Sequence, residues 1–522
     1  MSALHPKADI LSSSIGVRFV PEADIGCFKD LAKLIMLGIE SALRLPSQHT
    51  DIWREGLSMS IDLKATKALF FACIVSVWLV APGTGAQAEY APRQVLFTNV
   101  KVFDGQSDKL AEGMSVLVEG NLIKRVSADP IEAPEAFTID GGGRTLMPGL
   151  IDMHSHLCFR NGMLEFRDGY DQMAAGAYTG LAMREYLDQG FTTARDAGCN
   201  ILGVAKAVNN GVVPGPRIFP SGGFLSQTGG HADTGNFNDR PGDQDKLEQA
   251  MVGYIVDGPD EARRAARHNL RAGATQIKIM AGGGVASEFD PIHMTQLSPE
   301  EMEAIVGVAE DYGTYVLAHA YHDRSVNRAI DAGVRVIEHN FLVSEDTVKR
   351  MADEGVALSA QAVMSLQAFG DPESITFFSP DQKKKAKTVN KGAEQMFKWA
   401  IKHGVLTVTG GDMFGPDLGR QADNLVWLNK VANNPHFVLK TATSNAAEVL
   451  GWSGEMNPYK DGPLGVIAEG AYADIILVDG NPLESLEALK RTNVDFVMKD
   501  GLVYKNWLPD EKAPAFQLSL IH

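Results

Sequence analysis

The chain reads as an α/β protein whose main body is a (β/α)8 TIM-type barrel, with a small β-sandwich domain formed from both ends of the mature chain. Three observations predict this. Eight β-rich runs alternate with amphipathic helical stretches through the middle of the sequence, the pattern of a parallel sheet. Further β-rich runs, punctuated by Gly, Asn and Asp turns, lie before and after that middle part. The length, 522 residues of which 45% are apolar, suffices for one large core and one smaller domain.

The N-terminal region reads as an address rather than as structure. Lys64 and Lys67 lead into the apolar run Ala68–Val80, Pro82 and Gly83 break it, and Ala86-Gln87-Ala88 supplies small residues for cleavage after Ala88. Thirteen apolar residues fall short of the roughly 20 that cross a bilayer as a helix. Residues 59–88 are therefore expected to be a signal peptide, and the product periplasmic or secreted, with no stable membrane span after processing; an uncleaved anchor is the alternative. Met59 is a natural start for such a leader, which leaves residues 1–58 as an unassigned N-terminal extension. Cleavage would remove Cys27 and Cys73 and leave Cys158 and Cys199. These are expected as buried, unpaired thiols, although an oxidising compartment would allow a bridge.

Residues 89–147 form the first part of the expected sandwich, with strands at Val95–Thr98 and Met114–Val118. Residues 452–522 supply its second part and the C-terminal tail, with strands at Asp474–Val478 and Val494–Met498. Between them, residues 148–451 make the barrel. Its strands are expected near Ile151, Thr193, Ile218, Ile277, Val316, Val336, Leu358 and Val408, and helices at Asp260–Ala274, Pro299–Tyr312, Glu345–Glu354 and Gln382–His403. An open doubly wound sheet is the structural alternative. No Gly-rich dinucleotide loop supports it, and Gly282-Gly283-Gly284 does not fit that fingerprint. The net charge of −17, without a basic stripe, argues against a nucleic-acid partner.

Barrels build their sites at the C-terminal ends of strands. The first strand runs into His154-Ser155-His156, and alternate residues of a strand share a face, so both imidazoles can reach one ion. Lys278 sits in the apolar run Gln276–Met280, where an unpaired ammonium is costly. Either it snorkels to solvent, or carbon dioxide converts it to a carbamate able to bridge two cations. His319, His339 and Asp412 each end a later strand. Any one of these is as readily a capping or hydrogen-bonding residue as a ligand. The specific signal is the order: four imidazoles, a lysine and a carboxylate at the ends of strands one, four, five, six and eight.

In that order the chain, over roughly Val95–Tyr504, resembles the amidohydrolase superfamily in its binuclear, carboxylated-lysine form. The phrases Arg195-Asp196-Ala197-Gly198, Gly229-Gly230-His231 and Lys278–Val285 resemble a narrower branch, that of Xaa-Pro dipeptidase-like carboxypeptidases and ochratoxin-hydrolysing amidases. The resemblance implies one metal on His154, His156 and Asp412, a second on His319 and His339, and N6-carboxylysine at Lys278 between them. It also implies homo-oligomers. The two divalent ions are expected to be zinc, which imidazole and carboxylate ligands suit, with manganese as another option. The sequence departs from the usual pattern at Ala320–Asp323 and at Gly411, which bears on substrate fit more than on metal chemistry.

The expected reaction is hydrolysis of an amide or peptide bond in a small substrate: a dipeptide, an N-acyl amino acid or an ochratoxin-like amide. A metal-bridging hydroxide attacks the carbonyl, and Asp412 serves first as base and then as acid. His231, Tyr321 and His322 lie on loops that reach the pocket and are candidates for gripping substrate, with ordinary loop hydrogen bonds as the alternative. A mononuclear deaminase would lack the lysine and carry a nearby Glu, whereas Lys278 is present and Ala320–Asp323 contains no Glu. A catalytically silent metal-binding barrel would have lost a ligand, and every expected position is filled.

Overall fold

The structure, a computed structural model, describes residues 94–162, 171–240 and 242–509. The expected extension and leader, residues 1–88, lie outside the described residues. Among the described residues no helix is long and apolar enough to cross a membrane.

Five strands open the described chain: β1 (Gln94–Val102), β2 (Ala111–Glu119), β3 (Leu122–Ser127), β4 (Phe137–Asp140) and β5 (Thr145–Pro148). The middle part holds β6 (Leu150–Ser155), β7 (Phe191–Asp196), β8 (Arg217–Pro220), β9 (Phe224–Ser226), β10 (Gly253–Ile255), β11 (Ile277–Met280), β12 (Val316–His322), β13 (Val336–Leu342), β14 (Ala357–Ala360) and β15 (Thr407–Thr409). Three more close it: β16 (Ile475–Val478), β17 (Val494–Lys499) and β18 (Leu502–Asn506).

Each of the eight expected barrel strands is present, as β6, β7, β8 and β11 to β15. All pair in parallel, in one sheet ordered β6-β7-β8 and another ordered β10-β9-β11-β12-β13-β14-β15. The unanticipated β9 and β10 are three-residue strands added beside β11, too short for a period to show. The ladders stop at two seams, and single backbone bonds cross them. Thr275 N–H donates to the Pro220 carbonyl at 2.8 Å, and Asp412 N–H to the His154 carbonyl at 2.8 Å. At the second seam a Cβ on Gly410 would stand 2.5 Å from His154 Cβ, so only glycine lets the end of β15 approach β6 this closely.

The helices begin where chain chemistry places them. Ser298 with Glu301, and Ser379 with Gln382, form capping boxes ahead of helices Pro299–Asp311 and Pro380–His403, each with Pro in its first turn. The shorter helix Ser444–Gly451 plugs the mouth where the strands begin. Its Ala446, Val449 and Leu450 pack with Ile151, Leu317, Val336 and Val408, and Asn445 donates to the Thr407 carbonyl. With that mouth sealed by apolar packing, the strand C-terminal ends are left to carry the site.

The two ends of the chain do form one β-domain. Its strands make a single eight-stranded sheet, ordered β18-β17-β16-β5-β1-β2-β3 with β4 on β1, and β16 pairs antiparallel with β5 to join the halves. The sheet is mixed rather than antiparallel, because β1 pairs in parallel with both β4 and β5. Two strands separate β1 from β17, which in a flat sheet would hold them about 14 Å apart. The Phe97 and Phe496 rings nevertheless meet edge to face at 5.4 Å. The sheet therefore curls over itself, enclosing Val95, Val116, Ile139, Ile475 and Met498 in a core of its own, as a sandwich does.

The cysteine expectation is corrected: Cys158 and Cys199 are joined in a disulfide with Cα atoms 5.9 Å apart. The strands β6 and β7 that deliver them pair directly, which a separation of 41 residues in sequence could not reveal.

Arg217, at the start of β8, ties the barrel to the β-domain. It bonds Asp474 through Nε at 3.0 Å and Asp500 through a terminal nitrogen at 2.6 Å, with its guanidinium 3.8 Å over the Tyr472 ring. The cation is 4% exposed and Asp474 5%. Arg217→Ala would strand the buried carboxylate, and a loss of about 3–5 kcal/mol in unfolding free energy is expected by urea denaturation.

Candidate metal centre

His154 and His156, at the end of β6, meet Asp412, just beyond β15, with one ligand atom from each lying within 4.8 Å of the others. The Nε2 atoms of the two imidazoles are 3.2 Å apart, and the Asp412 Oδ1 lies 3.4 Å from the first and 3.3 Å from the second. The far side of each ring fixes its tautomer. His154 Nδ1 faces the Glu338 carboxylate at 2.5 Å, and His156 Nδ1 faces the Gly198 carbonyl at 3.0 Å, so both Nδ1 atoms carry the proton. Both Nε2 atoms then present lone pairs to one another and to a carboxylate. Three acceptors with no donor among them repel, and a divalent cation would satisfy all three.

The charges agree with that reading. Burial, reinforced by the Lys278 ammonium, draws His154 down to about 4, so the ring is neutral at neutral pH. Burial works to raise Asp412; positive charge on His154, His156 and His339 would hold its carboxyl well below the ordinary range, and a divalent cation beside neutral rings would do the same.

The remaining sequence-predicted residues surround this triangle. His339 at the bend of β13 has its ring centroid 5.2 Å from that of His154 and its Nδ1 3.9 Å from Asp412 Oδ2. His319 on β12 lies 4.6 Å from His339 between centroids, and its Nε2 faces the Gly283 carbonyl at 3.3 Å, leaving Nδ1 without a hydrogen-bond partner among the described residues. Lys278 on β11 is 1% exposed, and no hydrogen bond or ion pair holds its ammonium among the described residues. Burial pushes it down to about 8, against the pull of Glu338 and Asp412. Tyr321 packs against His319 and His339 at 4.9 and 5.3 Å, and His231 stacks on His319 at 4.0 Å. His322 is placed differently: its ring nitrogen meets the Met294 carbonyl at 3.3 Å, and no contact joins it to the triangle.

Two of the candidate ligands occupy backbone that L side chains seldom adopt, with φ of +75° at His339 and +52° at Asp412. Each costs on the order of 1–3 kcal/mol. At His339 the bend does identifiable work. Regular alternation would send Glu338 and His339 to opposite sides of β13, yet Glu338 reaches His154 and His339 lies beside the same ring.

Glu338 is the main residue that the reading of the sequence left unassigned. It is fully buried, bridges His154 to the Arg195 guanidinium at 2.5 Å, and accepts from Gln361 at 3.2 Å. Burial works to raise its carboxyl, but Arg195 and His154 outweigh that and hold it well below the ordinary range. Gln361 also accepts from the His339 backbone N–H at 3.0 Å, so one amide serves two candidate ligands. Asp152 accepts from the His154 and Gly411 backbone and from the Tyr186 hydroxyl, fastening β6 to the end of β15. A carboxylate inside an apolar strand was the available signal, of the same kind that drew attention to Lys278.

The glycine run also has a role. A Cβ on Gly284 would fall inside the His231 ring, and one on Gly283 would strike the Pro291 carbonyl. Asp290 anchors this corner, accepting from Gly284 N–H at 2.6 Å and facing His231 Nδ1 at 3.1 Å. Buried Lys385 donates to the Gly284, Ser287 and Asp290 carbonyls.

The amidohydrolase family model matches residues 145–503, spanning the barrel and the C-terminal strands. Ochratoxinase from Aspergillus niger is 30% identical over 394 residues, covering 71% of this chain and 78% of its own. A prolidase crystallised with N-methylphosphonate-L-proline superposes with a TM-score of 0.74 at 35% identity, over 79% of this chain and 100% of its own. A Xaa-Pro dipeptidase with methionine bound in its active site gives a TM-score of 0.71 at 29% identity, over 79% and 100%. The chain belongs to the amidohydrolase family.

Proposed function

We propose that this protein hydrolyses the amide bond of a small substrate that ends in an amino acid: a dipeptide, an N-acyl amino acid or an ochratoxin-like amide. The observation that carries the reading is the acceptor-only triangle of His154, His156 and Asp412. The family, together with relatives named for cleaving such bonds, supports the substrate class.

In this reading His154, His156 and Asp412 would hold one zinc ion and His319 and His339 a second, with Lys278, as N6-carboxylysine, serving as their shared ligand. An ammonium buried with no hydrogen-bond or ion-pair partner among the described residues favours that change: the ammonium releases one proton, the free amine adds to carbon dioxide, and loss of a second proton leaves a carbamate anion in place of the cation. Bound divalent cations supply a water that ionises near neutral pH and a Lewis acid for the substrate carbonyl.

The chain's own residues do the rest. Asp412, kept ionised, takes a proton from the attacking water and delivers it to the departing amine nitrogen. Glu338 and the Gly198 carbonyl hold the two imidazoles in the tautomers this requires. His231 and Tyr321 are the candidates for orienting the substrate carbonyl or its carboxylate, and their packing against His319 supports that role. His322, bonded to Met294, bears on the shape of that loop. The leader-like segment and the Cys158–Cys199 disulfide both favour a periplasmic or secreted protein.

A panel of dipeptides and N-acyl amino acids, assayed with each divalent metal beside elemental analysis, tests the reading. About two metals per chain and turnover on at least one amide are expected. Lys278→Ala should lose both, and full activity in that variant would contradict the bridge. Asp412→Asn is expected to lower kcat by about 10²–10⁴-fold in steady-state assays. Glu338→Gln should weaken metal binding by about 10–100-fold in a chelator competition, because His154 loses the charged partner that orients it.

A further inference from the structure

Gly198 is the weakest point in the support of His156. Its carbonyl fixes the His156 ring, yet its φ of +143° and its close approach to Phe224 demand glycine, the residue with the most backbone freedom. A carbonyl carried by such a residue holds its direction only if its neighbours are held. The neighbour on one side is Cys199, which is fully buried and bonded to Cys158, two residues beyond His156. A short closed circuit results: from His156 along the chain to Cys158, across the disulfide to Cys199, back one residue to Gly198, and through the 3.0 Å hydrogen bond to His156. The Cys158 backbone N–H points at the Cys199 sulfur at 3.2 Å, inside the same circuit.

We propose that the Cys158–Cys199 disulfide is a positioning element of the metal centre, holding the Gly198 carbonyl on His156 Nδ1 so that His156 Nε2 stays aimed at the cation. The proposal rests on His156 being a metal ligand. Asp196 is the competing support, since its carboxylate accepts from Leu157 N–H at 3.0 Å and from Gly198 N–H at 3.2 Å. It grips the amides on either side of the circuit, and the Cys199 N–H, in the same peptide plane as the Gly198 carbonyl, donates to the Gly222 carbonyl at 3.2 Å; the disulfide adds the one covalent tie between that plane and the His156 segment.

The test titrates cobalt(II) into the metal-depleted full chain, reading affinity by chelator competition and ligand geometry by the visible d–d spectrum. The wild type is compared with Cys158→Ala/Cys199→Ala, and with His156→Ala as the ligand control. Near-UV circular dichroism reports folding separately, and Cys158→Ser/Cys199→Ser stands in if the alanine pair does not fold. The expected result is a folded double variant with cobalt affinity weakened by about 10–100-fold and an altered spectrum. Affinity within twofold of wild type and an unchanged spectrum in the cysteine variant, with His156→Ala impaired, overturns the positioning role and leaves the metal centre standing. Unchanged binding in both overturns the metal centre and this proposal with it.

Discussion

Mutual repulsion among three acceptors, two of them buried imidazoles, is the constraint on which the rest of the structure turns. Two imidazole lone pairs and a carboxylate oxygen face one another at 3.2–3.4 Å in a place where water is scarce. Such an arrangement does not assemble by its own attraction, so the surrounding fold must hold it. Glu338 and the Gly198 carbonyl take the protonated edges of the rings, and Arg195, with no exposed surface, neutralises Glu338. A buried pair of this kind contributes little net stability because desolvation opposes its attraction. Its value lies in fixing His154 in one tautomer and one orientation.

The seam between β15 and β6 shows the same priority of geometry over stability. Ladder pairing stops there, and the single bond from Asp412 N–H to the His154 carbonyl joins two candidate ligands directly through the backbone. Gly410 permits the approach, and Asp412 accepts a φ of +52° to complete it. Asp152 then bonds both sides, through His154 N–H and Gly411 N–H. A regular strand at this point would keep its hydrogen bonds and lose the convergence.

What was legible in the sequence follows from this. The eight strands were readable because burial on both faces makes a parallel strand a continuous apolar run. His154, His156, His319, His339 and Asp412 were readable because each interrupts or ends such a run with a polar group. Glu338 was equally visible in Val336-Ile337-Glu338-His339, but regular strand alternation puts neighbouring residues on opposite sides, and only the bend at His339 brings both inward. The Cys158–Cys199 bond, the curl that joins Phe97 to Phe496, and the contact of His231 with His319 all depend on distances across the fold, which no local pattern encodes. The parallel pairing of β1 with β4 and β5 is of the same kind.

The site is supported in two separate ways, and this divides its chemistry. The triangle is braced from the barrel itself, through Glu338, Gln361, Arg195 and Asp152, all of them on or beside strands. His231 is braced from a loop: Asp290 faces its ring, Gly284 makes room for it, and Lys385 fastens the loop by three carbonyls to helix Pro380–His403. Among the described residues no hydrogen bond passes directly from Glu338 to Asp290; the two networks meet where His231 stacks on His319. A change in the loop can therefore alter how a substrate is gripped without disturbing the tautomers of His154 and His156.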